Sequence, residues 1–102
     1  MAYVLGVDIG TGSAKAVLLD EGGALVGRGV AEYGLCTPHP GWVEQDAEDW
    51  WRGLCVAARQ ALLGIDAAEV VCISLSGQLN GAVFVDEQIQ PLRPVPIWLD
   101  HR

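Results

Sequence analysis

At 102 residues the chain has room for one domain with one modest core. Hydrophobic residues make up 51% of it, which excludes a disordered chain, and no apolar run approaches the roughly 20 residues of a membrane-spanning helix. Thirteen acidic residues against six basic ones, a net charge of −7, leave no basic patch for nucleic acid, so neither nucleic acid nor membrane is an expected partner. An acidic chain does not draw polyanions by its overall field, so any phosphate site must be local, built from N–H groups and a metal ion.

The chain starts directly on a strand pattern without a basic segment, so no signal peptide is expected. Cys36, Cys55 and Cys72 are odd in number and lack metal-ligand spacing. They are expected to be buried, inert thiols in a reducing, cytoplasmic setting.

Two apolar runs, at about 3–8 and 14–20, flank a small Gly-rich turn and read as a hairpin. Asp8 closes the first strand, Gly10 and Gly12 leave the backbone unobstructed, and Thr11, Ser13 and Lys15 supply donors. Glycine allows the close approach of a phosphate, and successive free N–H groups form an anion-binding concavity. A carboxylate beside it can hold Mg²⁺ through water while the metal bridges phosphate oxygens. The turn is therefore expected to bind phosphate and magnesium, with Asp8 at the metal. A Walker loop is excluded because Lys15 lies between Ala14 and Ala16. A dinucleotide fingerprint is excluded because Lys15 stands where its third glycine would be and a strand follows the turn.

After the turn Asp20–Gly23, a third strand is expected over about 24–33, with Leu25, Val26 and Val30 as its apolar members, completing an antiparallel meander. Pro38, Pro40 and Gly41 predict a loop over Gly34–Gln45. Asp46 is a good N-cap for a helix over 46–63, and Glu48 and Asp49 suit its first turn. Trp51, Leu54, Cys55, Ala58 and Leu62 form its expected apolar stripe, and Gly64 its stop. Val70–Leu75 reads as a central strand covered on both faces, parallel to an earlier one because a helix intervenes. Ser76–Gly81 follows at its carboxyl end, where ligands bind in open α/β sheets. Ala82–Val85 and Gln90–Leu92 predict a short hairpin around Asp86-Glu87. Pro94-Val95-Pro96 then leads to Trp98-Leu99-Asp100-His101-Arg102, a run that ends without a closing cap and reads as an interruption.

Four blocks now stand in order: Asp8-Ile9-Gly10-Thr11-Gly12-Ser13-Ala14-Lys15; Pro38-His39-Pro40-Gly41-Trp42-Val43-Glu44-Gln45-Asp46 with Trp50-Trp51; Ser76-Gly77-Gln78-Leu79-Asn80-Gly81; and Trp98-Leu99-Asp100-His101-Arg102. Together they resemble the FGGY carbohydrate kinases, most closely the xylulokinase-like members, over the whole chain. The resemblance implies an α/β fold of the actin-like, ribonuclease-H-like type: a three-stranded antiparallel meander extended by parallel strands. It implies that residues 1–102 are part of a first domain, with the rest of that domain and a second domain elsewhere.

The implied reaction is ATP-dependent phosphorylation of a ketopentose such as xylulose, or of glycerol, ribulose, gluconate or another polyol, with Mg²⁺. Asp8 resembles the family's acid near the metal and reacting phosphate. Gly10, Thr11, Gly12, Ser13 and Lys15 resemble the positions facing the nucleotide phosphates. Gln78, Leu79 and Asn80 match the sugar-contact turn, and Trp98, Asp100 and Arg102 a segment bordering the sugar pocket; the competing reading of Asp100 and Arg102 is that they pair with each other or with parts of the protein outside this chain. Xylulokinases usually read Gln-Met-His-Gly where this chain reads Gln-Leu-Asn-Gly, so Asn80 leaves the sugar open. The family's general base, an Asp, lies beyond residue 102, as does the adenine pocket, so the chain alone is expected to be inactive. Competing expectations are a noncatalytic actin-like nucleotide-binding module and a ligand-free interaction domain. Exposed apolar area would invite a homodimer. Trp42, Trp50 and Trp51 are assigned to packing, and His39 to a loop.

Overall fold

Alternating burial sets the first layer. The computed structural model describes residues 1–102. In β1 (Tyr3–Ile9) Tyr3, Leu5 and Val7 are buried while Asp8 is exposed; in β2 (Ser13–Leu19) Ala14, Ala16 and Leu18 are buried while Lys15 and Val17 are exposed. β3 (Leu25–Glu32) completes the meander, and the two pairings are antiparallel. After the two-residue β4 (Glu44–Gln45) comes α1 (Ala47–Ala61), and a short 3₁₀ turn at Ala67–Glu69 then leads into β5 (Val70–Gly77). β5 lies parallel to β1, giving a mixed sheet of order β3-β2-β1-β5. β6 (Val95–Pro96) pairs antiparallel with β4.

The helix is placed by small residues. The buried positions of α1 are Gly53, Ala57 and Ala61, four residues apart on one side. They meet Ala14, Ala16 and Leu18 of β2, and the glycines of β3. A Cβ added to Gly29 would run into the carbonyl oxygen of Ala57, and one added to Gly27 into that of Ala61. Backbone therefore packs on backbone, and any side chain at these two positions would push the helix away. Asp46 caps α1 by accepting from Glu48 N–H at 2.9 Å, and Gly64 takes φ +79° just past its end, as expected of a left-handed stop.

Several expectations are corrected. The stripe of α1 is rotated from the anticipated one: Trp51 is 63% exposed, and Leu54, Ala58 and Leu62 flank the core rather than centre it. Size misled here, since the tight approach selects Gly and Ala. For the same reason Leu25, Val26 and Val30 of β3 lie exposed, while Gly27, Gly29 and Ala31 turn towards the helix side. β5 is an edge strand with seven of its eight residues exposed, not a covered central one, because no strand pairs with it on the side away from β1. The loop before α1 contains β4, tied by the Cys36–Glu44 bridge. The anticipated hairpin near Asp86 shrinks to one bridge, Val85–Pro91, with Asp86 Oδ1 accepting from the N–H groups of Gln88 and Gln90. Cys36 and Cys72 are exposed and Cys55 half-buried, so the cysteines are not the core thiols anticipated. No helix is long and apolar enough to cross a membrane.

The glycine contacts give a direct test. Gly29→Ala should lower unfolding stability by about 2–3 kcal/mol through overpacking. Gly34→Ala, with nothing near its Cβ, should stay within about 0.5 kcal/mol. Urea unfolding followed by circular dichroism would read both; equal midpoints would mean that α1 can slide off β3 without cost.

Candidate active site

The hairpin tip between β1 and β2 is polarised. Every carbonyl at its turn is engaged from the body of the protein. Gly10 O accepts the Tyr33 hydroxyl at 2.5 Å, Thr11 O accepts Gln45 Nε2 at 2.6 Å, and Gly12 O accepts Tyr33 N–H at 3.1 Å. Gly10 N–H is used within the turn, donating to Ser13 O at 2.9 Å. The N–H groups of Thr11 and Gly12 have no acceptor in the chain. Nothing would meet a Cβ at Gly12, so the space above it is open. Two unpaired N–H groups in an open Gly-rich turn make the kind of concavity that receives an anion.

Asp8 lies beside this tip, exposed and without hydrogen bond or ion pair. Lys15 is its cross-strand neighbour on β2 and Ser76 its neighbour on β5, so Lys15, Asp8 and Ser76 form one row across three strands. They line a groove of ≈ 250 Å³. Lys15 makes no ion pair within the chain, leaving its ammonium available. Burial, followed by the charge of Asp8, pushes the Tyr33 phenol above its ordinary value, which keeps it the donor that Gly10 O requires.

A second cleft of ≈ 380 Å³ opens where β1 and β5 end, lined by Asp8, Gly10, Thr11, Gly77, Gln78, Leu79, Asn80 and Trp98. The parallel register places Ile9 opposite Gly77, and Gln78 N–H donates to Ile9 O at 2.9 Å. That bond brings the turn after β5 against the hairpin. Asn80 takes φ +64°, a left-handed conformation that Asn tolerates. Trp98 arrives from the end of the chain, its indole N–H donating to Thr11 Oγ1 at 2.8 Å. The fold thus assembles Asp8, Gly10, Thr11, Gln78, Leu79, Asn80 and Trp98 around one cleft, with Gly12 and Ser13 at the tip and Lys15 in the adjoining groove.

Asp100 and Arg102 are held elsewhere, in a latch. Arg102 bonds Asp100 through Nε at 2.8 Å and Glu44 through Nη2 at 2.8 Å, and its guanidinium lies 3.8 Å from the centroid of Trp42. Arg93 reaches the same Glu44 oxygen at 2.9 Å. Asp100 Oδ1 also accepts Val43 N–H at 2.7 Å. Neither Asp100 nor Arg102 lines the cleft; their contacts fix the segment from which Trp98 projects. His39 packs edge-on against Trp42, with ring centres 4.5 Å apart.

Two residues of the second sequence block carry structural roles that the sequence did not assign to them. Glu44 and Gln45 are buried polar side chains in a stretch expected to be loop. Gln45 donates to Thr11 O and Gly34 O and accepts from Trp50 Nε1 and Gln78 Nε2, so every hydrogen-bonding position on its amide is filled. Only a bulky polar pair directly before a helix cap hinted at this.

An open antiparallel meander extended by a parallel strand, with a helix packed on one face, is the architecture of the actin-like fold. Comparison with known proteins agrees. The FGGY family of carbohydrate kinases, N-terminal domain, matches residues 3–102. The xylulose kinase of Klebsiella pneumoniae is 36% identical over 98 residues, 96% of this chain and 20% of that protein. A glycerol kinase of Polaromonas naphthalenivorans is 35% identical over 105 residues, 100% of this chain and 21% of that one. The crystal structure of a xyloylose kinase from Brucella ovis superposes with a TM-score of 0.88 at 38% identity, over 98% of this chain and 22% of that one. The chain belongs to the FGGY family of carbohydrate kinases. It spans about a fifth of the length of the curated relatives it matches.

The latch carries a pH signature. Hydrogen bonding from Arg102, above all, lowers the Asp100 carboxyl from 3.8 to about 2, and the Arg102 and Arg93 contacts also lower Glu44. A carboxylate depressed in the folded state adds stability above its unfolded value and loses it as pH falls through the folded one. For Asp100 the window runs from 3.8 down to about 2. The latch should hold at about pH 3 and open near pH 2. Carboxyl carbon shifts of Asp100 would show it, and Arg102→Ala should return the midpoint towards 3.8.

Proposed function

We propose that residues 1–102 form the phosphate-facing and sugar-facing part of an ATP-dependent kinase of a small sugar or polyol, with a ketopentose such as xylulose as substrate. The observation that supports this most is the meeting of Thr11, whose N–H is free, the unpaired Asp8 carboxylate and the Gln78–Asn80 turn around a single cleft, with the free Gly12 N–H at the adjoining tip. The residues present fit such ligands. Thr11 and Gly12 would donate N–H groups to phosphate oxygens, and the hydroxyls of Thr11 and Ser13 lie at the same tip. Asp8 would hold a divalent ion. No cluster of three metal-ligating side chains exists in the chain, so Asp8 would act with water and phosphate as the remaining ligands. The ion, when bound, supplies charge neutralisation on the phosphates.

The chain's own contribution is positioning and charge. Phosphoryl transfer depends on alignment and on neutralising charge spread over the moving group. Lys15, in the row beside Asp8, would offer a cation to that charge. Gln78 and Asn80 would order sugar hydroxyls, and Trp98 would close one side of the pocket. The cleft holds a single carboxylate, Asp8. With Asp8 given to the metal ion, removing the proton from the attacking hydroxyl would fall to a general base outside residues 1–102, and the chain alone would be inactive. Replacement of the xylulokinase histidine by Asn80 keeps hydrogen bonding but loses the imidazole, which favours testing several polyols alongside xylulose.

The test joins residues 1–102 to the remainder of the Klebsiella pneumoniae xylulose kinase in place of its own first fifth. The folded chimaera should release ADP in a sugar-dependent way from a panel of xylulose, ribulose, glycerol and gluconate. Asp8→Ala should lower kcat roughly 10²–10³-fold, the scale of removing one charge-stabilising group. Residues 1–102 by themselves should release none. A folded chimaera that turns over no sugar in the panel would overturn the proposal.

A further inference from the structure

A planar trans peptide fixes the N–H of one residue opposite the carbonyl of the residue before it. Whatever holds the Gly10 and Thr11 carbonyls inward therefore turns the Thr11 and Gly12 N–H groups outward. The Gly10 carbonyl is held by the Tyr33 hydroxyl and, at 3.4 Å, by Gln78 Nε2. The Thr11 carbonyl is held by a single partner, Gln45 Nε2. Gln45 is 2% exposed and comes from β4, outside the hairpin and outside the cleft lining. Its amide cannot rotate without loss. Nε2 also donates to Gly34 O at 3.2 Å, while Oε1 accepts Trp50 Nε1 at 3.0 Å and Gln78 Nε2 at 2.9 Å. A flip would oppose oxygen to two carbonyls and nitrogen to two N–H donors.

We infer that Gln45 is the positioning residue of the anion-binding tip: its locked amide sets the Thr11 peptide plane and so aims the Gly12 N–H at the ligand phosphate. The same amide bonds Gln78, whose Oε1 is buried without a donor, so the two walls of the cleft share one anchor. In its ligand this inference rests on the phosphate-binding role proposed above; in its geometry it does not.

The experiment uses the 102-residue chain and inorganic tripolyphosphate with Mg²⁺, which needs no adenine pocket. Gln45→Met keeps the length of the side chain and removes both donors and both acceptors. Residual dipolar couplings should show the Gly12 N–H vector reoriented in Gln45→Met while the Leu18 and Ala57 amides keep theirs, a signature that general loosening would not give. Tripolyphosphate-induced shifts at the Thr11 and Gly12 amides should then report affinity roughly tenfold below the unaltered chain, the scale of one charge-assisted hydrogen bond. An unchanged Gly12 vector with affinity within about twofold of the unaltered chain would overturn the inference. Should Gln45→Met fail to fold, the unaltered chain still decides. A scalar coupling across the Gln45 Nε2 to Thr11 carbonyl bond supports the lock, and its absence overturns it. If the unaltered chain gives no tripolyphosphate shift but the Gly12 vector still moves in Gln45→Met, the phosphate role fails while the positioning role stands.

Discussion

The close approach of α1 to the meander fixes everything downstream. Where Gly27 and Gly29 meet the carbonyls of Ala61 and Ala57, helix backbone lies directly on strand backbone. That contact leaves α1 little freedom to shift on β2 and β3. Its N-terminus is then also fixed, and with it Trp50 and the cap at Asp46. Gln45 immediately precedes that cap, so the helix in effect delivers an amide to the underside of the hairpin tip. Apolar burial of Leu5, Val7, Ala16 and Leu18 supplies the driving force. The glycines decide where the helix comes to rest.

Much of the architecture was legible because it follows from local rules. The hairpin at 3–19 declared itself by two apolar runs around a Gly-rich turn, and the helix by Asp46 and two acids in its first turn. The parallel placement of 70–77 follows from the helix that precedes it. What was not legible depends on packing distance rather than on periodicity. A stripe of large apolar residues nominated Trp51 and Leu54, yet a helix that sits on glycines is faced with Gly53, Ala57 and Ala61. β5 has the composition of a strand covered on both sides, but no neighbour lies beyond it in the chain's own fold, and Val71, Ile73 and Leu75 are exposed. A strand's composition reports what it can tolerate around it, not what the same stretch of sequence supplies.

The cleft was legible in its walls and hidden in its supports. Asp8, Thr11, Gln78 and Asn80 carry groups that advertise chemistry, and strand ends in an α/β sheet point to where they gather. Asp100 and Arg102 carry equally suggestive charges, yet they turn away to Glu44 and Trp42. The distinction lies in partners. An arginine with two carboxylates and an aromatic face within reach is already satisfied, whereas Asp8 and Lys15 have none. Sequence reading sees the charge but not its neighbour, and Glu44 lies 58 residues away from Arg102.

The latch and the amide anchor together explain why distant segments can shape one turn. Trp98 reaches Thr11 Oγ1 because Arg102 and Asp100 tie its segment to Glu44 and Val43. Gln45, the next residue after Glu44, reaches the Thr11 carbonyl from beneath. The side chain and the backbone of Thr11 are therefore both held by groups that depend on β4, a strand of two residues. A turn of small residues has little rigidity of its own, since glycine widens rather than narrows the conformations open to it. Its fixed polarity, with carbonyls spent inward and N–H groups left outward, is imposed from outside the turn. That is the arrangement needed to hold negative charge, because a dipole already oriented requires no reorganisation when the charge arrives.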